Sequence, residues 1–164
     1  MTLRSIAIVL CGLAVFGAAR GLQGPPLSTG RNGSREADLA AIERWRQQDI
    51  AATLLLDPVA LTDLWTDDAI RIGVGAPGEV GKQAIRASNE RYAAAIKGLK
   101  VLSFVPETKD FTFLDGGWAV EWRTYTLSIG DSPGGEAKQV RGTVLMVLKK
   151  LPDGNWKLFR MMGA

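Results

Sequence analysis

From Ser34 onward, apolar residues recur first at helical spacing and then at strand spacing. Leu39, Ile42, Trp45, Ile50 and Leu54 stand three to five positions apart, the interval that lines one side of a 3.6-residue helix. This pattern predicts a helix from about Ser34, its expected N-cap, to about Leu56. Asp57-Pro58 ends that helix and starts a short second one, with Asp57 as N-cap, Pro58 in the first helical position, and Leu61, Leu64 and Trp65 on the apolar side. Asp67-Asp68 is read as a turn into a brief strand, Ala69 to Val74. A third helix is expected from Lys82 to Lys97, closed by Gly98, with Ile85, Asn89, Tyr92 and Ile96 along one stripe.

After Gly98 the period becomes two. Strands are expected at Lys100–Pro106, Lys109–Leu114, Trp118–Ile129, Gln139–Lys150 and Asn155–Met161. Asp115-Gly116 and Asp153-Gly154 are hairpin signals, and Asp131 to Lys138 makes a longer hairpin loop. No internal repeat is visible. Helices followed by mostly antiparallel strands give an α+β fold with the helices on one face of a sheet. Alternation puts Glu121, Arg123 and Tyr125 on one strand face and Trp118, Val120 and Trp122 on the other. In the strand ending at Lys150, Val144, Met146 and Leu148 occupy one face while Leu145 and Val147 occupy the other. A strand apolar on both sides is covered on both, and a second subunit is the simplest cover for the side without helices.

The first residues follow another logic. Arg4 is followed by an apolar run from Ile6 to Phe16 and by small residues at Gly17-Ala18-Ala19. This is the layout of a secretory signal peptide, residues 1–19, and the run is short for a membrane span. Residues 20–34, with Gly24, Pro25, Pro26, Gly30 and Gly33, read as a disordered linker ahead of a folded domain at 35–164. The expected location is therefore secreted or periplasmic.

The composition narrows the chemistry. The chain has 164 residues, 46% hydrophobic, one Cys and no His. It therefore lacks an imidazole base, a Ser-His-Asp or Cys-His constellation, a His-ligated metal and an intrachain disulfide. Cys11 lies in the signal segment, which leaves a mature domain with neither Cys nor His. Twenty basic residues oppose 17 acidic ones for a net charge of +3, and the basic residues are scattered, so nucleic acid is not an expected partner.

Several motifs match on letters alone. Gly73-Val74-Gly75-Ala76-Pro77-Gly78 has the spacing of a dinucleotide loop. However, the third glycine is followed by Glu79 and no parallel strand ends in an acid, so a plain Gly/Pro loop is the better reading. Gly81-Lys82 ends a near P-loop, but Gln83 stands where the magnesium hydroxyl belongs. Asp63, Asp67 and Asp68 lack the alternating oxygen ligands of a calcium loop. No cofactor or metal is expected. Asn89 is more telling, because it interrupts an apolar stripe and a buried amide needs partners. Tyr92, one turn on, carries a hydroxyl on the same side. Arg141 could pair with Glu121 if that face is inside, or form an exposed cross-strand pair.

Four stretches, in order, carry a family resemblance: Leu61-Thr-Asp-Leu64-Trp65-Thr-Asp67-Asp68-Ala69, Gly81-Lys82-Gln83-Ala84-Ile85, Gly117-Trp118-Ala119 and Leu151-Pro152-Asp153-Gly154-Asn155-Trp156-Lys157. Together they resemble the DUF4440 / SnoaL-like group of the nuclear transport factor 2-like superfamily, over about residues 37 to 162. The resemblance implies a cone of three N-terminal helices on a curved, mostly antiparallel sheet. It also implies a pocket between the layers and, commonly, a homodimer through the sheet. Ketosteroid isomerases share that fold, but Gly73 stands where their general-base Asp falls, and no Tyr lies between Ser34 and Asp57. The end of the chain, Met161-Met162-Gly163-Ala164, also departs from the Trp-Asn often found there.

The expected function is a pocket for a small hydrophobic or amphipathic molecule, lined by Trp65, Asn89, Tyr92, Trp122 and Arg141, without catalysis. The alternative is a SnoaL-type isomerase, lyase or hydrolase in which Glu121, Asp110 or Tyr92 does acid–base work. An inward carboxylate within reach of Tyr92, Asn89 or an Arg would favour it. A third reading is a dimerisation module with no cavity.

Overall fold

The computed structural model describes residues 29–75, 77–131 and 136–164. The expected signal segment, residues 20–28 of the expected linker, residue 76 and residues 132–135 lie outside the described residues. The elements are α1 (Thr29–Leu55), α2 (Pro58–Asp63), β1 (Trp65–Ile72), β2 (Glu79–Val80), α3 (Lys82–Ala95), β3 (Lys100–Leu114), β4 (Trp118–Gly130), β5 (Ala137–Lys150) and β6 (Trp156–Gly163). The strands form one sheet in the order β2-β1-β6-β5-β4-β3. β1 lies parallel to β6, and every other neighbouring pair is antiparallel. Among the described residues no helix is long and apolar enough to cross a membrane.

Helix α1 begins at Thr29, so Ser34 lies inside it rather than at its cap. Its packed stripe is Ala41, Ile42, Trp45 and Ala52, while Leu39 and Leu54 are exposed. The buried side is therefore rotated from the one the large apolar residues mark, because Ala41 and Ala52 let the helix sit close to its neighbours. The helix ends with the Asp57 N–H bonded to the Ala52 carbonyl at 3.1 Å and with Leu56 at φ 51°. A left-handed residue in this place is normally glycine. Asp57 then caps α2 as expected, its Oδ1 accepting from the Val59 and Ala60 N–H groups.

Two strands differ from expectation. β1 starts at Trp65 rather than Ala69, and Asp67-Asp68 lies within it, at an irregularity in its pairing with β6 between Trp65 and Ile70. β3 is one strand of 15 residues rather than two. Pro106 and Glu107 pair straight across to Tyr125 and Thr124, and the register shifts between Thr108 and Asp110. Together with the shifts at Val101/Ser103 and Val147/Leu148, this bends the sheet, since an extra residue in one strand increases local twist.

The core lies between the helices and the inner sheet face. Ile42, Ile85 and Leu148 are fully buried, with Met146, Trp45, Trp156 and Leu158 close to it. Each such side chain stabilises the fold by about 1.5–3 kcal/mol. The outer sheet face carries Trp122 and its cross-strand partner Leu145, which are 46% and 48% exposed.

Candidate functional site

Packing stops short of filling the space between α1, α3 and the sheet. A cavity of about 740 Å³ remains there, within the range of small-molecule sites. Leu61, Leu64, Phe104, Val144, Met146 and Met161 supply apolar wall, and Asp49, Arg71, Asn89, Tyr92, Arg123 and Tyr125 supply polar groups. Among the described residues no group of three or more His, Cys, Asp or Glu could hold a metal ion.

One wall is ionic. The period of two in β4 turns Glu121, Arg123 and Tyr125 inward, and α1 brings Asp49 one turn after Trp45 to meet them. Glu121 is fully buried. Its Oε2 accepts from Arg46 Nε at 3.1 Å and Nη2 at 3.0 Å, and its Oε1 accepts from the Thr108 hydroxyl at 2.9 Å. Arg123 is 3% exposed. Its Nη1 donates to Asp49 Oδ2 at 2.9 Å and its Nη2 meets Met146 Sδ at 3.2 Å. The Trp45 ring lies against the guanidinium, 5.4 Å from centroid to Cζ. Arg46 thus bonds Glu121 and, at 3.3 Å, Glu43, while Arg123 bonds Asp49 and lies 3.6 Å from Glu121 Oε1. Burial pushes the Asp49 carboxyl above its ordinary value, against the pull of Arg123 and with help from Glu121. A carboxyl shifted in this direction gives up its proton at a higher pH than an ordinary Asp.

A second polar group lies on the β1–α3 side. β1 pairs Arg71 with Glu79 across the hairpin, and the Arg71 Nε donates to Glu79 Oε2. Arg71 Nη1 donates to Asn89 Oδ1 at 2.8 Å, and Asn89 Nδ2 donates to the Thr62 hydroxyl at 3.2 Å. Burial would raise Glu79, but bonds from Arg71 and Ser88 and the charges of Arg71 and Arg91 hold it below its ordinary value. The Arg71 guanidinium also lies 5.8 Å from the Trp65 ring centroid.

Tyr125 shows how a small residue shapes the cavity. It lies directly across from Gly142, where a Cβ would come within 2.4 Å of the Tyr125 Oη and 2.5 Å of its Cζ. Only glycine lets the ring lie flat on β5 at this point. Tyr125 packs 5.9 Å from Phe104, and neither its hydroxyl nor that of Tyr92 has a hydrogen-bond partner among the described residues. Burial and then the neighbouring Tyr125 raise the Tyr92 phenol.

Three of the five residues expected at the site meet there. Trp65, Asn89 and Tyr92 line the cavity. Asn89 is engaged on both ends of its amide by protein groups, so its role is to hold Arg71. Trp122 and Arg141 do not reach the cavity. Trp122 alternates with the inward Glu121 and Arg123 and so points out of the sheet. Arg141 is exposed opposite Thr126, while the partner of Glu121 on β5 is Met146, so no Arg141–Glu121 pair forms. Asp110 is exposed opposite Trp122, on the outer face. The loop of residues 73–78 joins the antiparallel strands β1 and β2, which is not the strand-to-helix crossing that a dinucleotide requires. Asp49 escaped the sequence reading. Its signal was an acid four residues after Trp45 on the buried stripe of α1, hidden while the stripe was drawn through Ile50.

Comparison with known proteins agrees with this architecture. No family model and no curated protein matches the chain. Among solved structures it is similar to a ketosteroid isomerase-like protein from Erwinia carotovora atroseptica, with 23% identity, 77% of this chain and 94% of that one covered, and a TM-score of 0.62. It is also similar to a nuclear transport factor 2-like protein with a cystatin-like fold from Novosphingobium aromaticivorans, with 18% identity, 85% and 91% coverage and a TM-score of 0.64. The chain has the nuclear transport factor 2-like fold. A scytalone dehydratase-like protein from the same organism adds 16% identity, 80% and 86% coverage and a TM-score of 0.65. Identities this low speak to the fold alone, and the nuclear transport factor 2-like fold hosts more than one chemistry.

Proposed function

We propose that this domain binds a small hydrophobic or amphipathic molecule in the cavity between α1, α3 and the sheet. The observation that carries the reading is a cavity of about 740 Å³ with a largely apolar wall, lined also by Tyr92 and Tyr125, whose hydroxyls have no hydrogen-bond partner among the described residues. Apolar walls supply affinity and a few unsatisfied polar groups supply orientation. The ordered motifs from Leu61 to Lys157 support membership of the DUF4440 / SnoaL-like group. The apolar run to Phe16 and the small residues Gly17-Ala18-Ala19 support export to a secreted or periplasmic location, with the segment removed. The half-exposed Trp122 and Leu145 on the outer face support a homodimer through the sheet.

Thermal-shift and native mass-spectrometry screening against hydrophobic metabolites tests the binding reading. Ala93 of α3 lines the cavity, and ligands should raise the melting temperature of the wild type and fail to do so for Ala93→Phe, which puts a ring into that space. If no compound gives an adduct, or Ala93→Phe binds as well as the wild type, the reading is wrong.

One observation favours a second reading, acid–base catalysis of the isomerase, lyase or hydrolase type. Asp49 faces the cavity beside Arg123 and holds its proton more tightly than an ordinary carboxylate. It takes the role first assigned to Glu121, which is tied to Arg46 and Thr108, or to Asp110, which faces away. Compounds that bind would be followed for conversion by mass spectrometry. Turnover that is lost in Asp49→Asn while binding persists supports catalysis, and binding with no conversion excludes it for those compounds.

A further inference from the structure

We propose that the mouth of the cavity is a docking surface for an anionic lipid bilayer, seated through the turn between α3 and β3. This surface is the rim of the cavity, and its docking does not depend on what the cavity holds.

A residue that lines a cavity and still meets solvent marks its opening. Val74 on the β1–β2 loop and Tyr92 on α3 both line the cavity, yet they are 76% and 46% exposed. The opening therefore lies between that loop and α3. Two walls of the cavity, Tyr92 and Ala93 on α3 and Phe104 on β3, are joined by the short turn from Ile96 to Lys100. The turn folds tightly. The Ile96 N–H bonds to the Tyr92 carbonyl at 3.2 Å and the Leu99 N–H to the Ile96 carbonyl at 2.9 Å, and Gly98 takes the left-handed conformation at φ 93°. Leu99 is thereby held at the surface, 45% exposed. Val74, Tyr92 and Leu99 are thus large side chains that keep apolar surface in water beside one opening.

The charge beside them is positive. From Arg91 to Pro106 the chain carries three bases, Arg91, Lys97 and Lys100, and no acid. All of them are exposed, and Lys97 and Lys100 have no ion-pair partner among the described residues. The nearest acids are engaged elsewhere. Glu79 is bonded to Arg71 and Glu90 to Arg86, and Asp131, next to the Gly130 that pairs with Lys100, has a partner of its own. Glu136 and Lys138, at the same end of the sheet, carry opposite charges. A surface of this kind is drawn to anionic lipid by its bases and held there by its apolar side chains. The lysines favour lipid over protein as the occupant. Lysine is depleted from protein interfaces, whereas on a bilayer its stem lies along apolar surface while the ammonium stays at the phosphates.

Environment-sensitive fluorescence tests this. A nitrobenzoxadiazole label is attached at Leu99→Cys in the full chain carrying Cys11→Ser, which leaves one thiol for the label. A second protein carries the label at Leu145→Cys on the outer face. Vesicles of phosphatidylcholine and phosphatidylglycerol in equal parts should brighten and blue-shift the label at position 99 and leave the label at 145 unchanged. Vesicles of phosphatidylcholine alone should give a far weaker response. Lys97→Gln/Lys100→Gln in the labelled chain should weaken vesicle binding about thirtyfold, the worth of two bases at an anionic surface. Both lysines are exposed, and circular dichroism checks that the fold is kept. No response at 99, an equal response to both kinds of vesicle, or an affinity unchanged in the lysine variant overturns the proposal. A response at 145 rather than 99 puts the contact on the outer face and overturns it as well.

Discussion

Arg123 on β4 reaches Asp49 on α1 across 2.9 Å, and this contact ties the sheet to the first helix at the wall of the cavity. The pair lies 74 positions apart in sequence. Its strength should show when it is broken from either side. Arg123→Ala leaves Asp49 and part of the Glu121 field without a cation, and should cost about 3–5 kcal/mol. Asp49→Asn keeps an oxygen for Nη1 and should cost about 1 kcal/mol. Urea denaturation checks both. A loss in Arg123→Ala with none in Asp49→Asn would mean that Arg123 acts by packing on Trp45 rather than by charge.

The same pair carries a pH dependence of defined sign. The Asp49 carboxyl sits above its ordinary 3.8 in the folded chain because burial outweighs the attraction of Arg123. Its proton therefore favours folding. The contribution is complete below the unfolded value and is lost as pH rises through the folded one. In the difference between wild type and Asp49→Asn, the other carboxylates cancel. That difference should move in favour of the Asn variant as pH rises from acid to neutral, measured by denaturation of both proteins. A difference independent of pH would remove the raised carboxyl from the account.

Gly142 should be intolerant of the smallest substitution. In Gly142→Ala the new methyl would lie 2.4 Å from the Tyr125 Oη, and the strain of overpacking is about 1–3 kcal/mol. Removing the ring in Gly142→Ala/Tyr125→Ala should make the two losses clearly less than additive in a double-mutant cycle. Additive losses would mean that Tyr125 moves aside freely and that Gly142 does not position it.

The outer face makes a separate prediction. Trp122 and Leu145 are cross-strand partners, each about half exposed. Trp122→Glu should convert a dimer to a monomer in sedimentation velocity, with circular dichroism unchanged because neither side chain is in the core. A wild type that sediments as a monomer at every concentration would dispose of the homodimer.

The nature of each element could be read locally, and its neighbours could not. The Asp57-Pro58 cap, the switch from helical to strand spacing after Gly98 and the Asp115-Gly116 hairpin depend on bonds between residues a few positions apart, so short patterns reveal them. The division of β4 into Glu121, Arg123 and Tyr125 on one side and Trp118, Val120 and Trp122 on the other was also legible, because pleating alone imposes it. Which side faced the helices was not. Both sets contain large side chains, and the aromatic side looks more like a core than the charged one does. The fold puts the charged side inside because Arg46 and Asp49 on α1 arrive there to neutralise it. Trp122 was accordingly expected in the pocket and lies outside.

The sequence by itself determined the α+β class, most of the element boundaries and the absence of His, since these follow from composition and local spacing. Tertiary structure decided the site. It rotated α1 so that Asp49 rather than Ile50 faces the sheet, and it paired Asn89 with Arg71 and Thr62. Through Gly142 it also laid Tyr125 flat along the cavity. Each of these depends on contacts between residues distant along the chain, where burial and charge are settled by what another element brings. No pattern within one helix or strand contains that information.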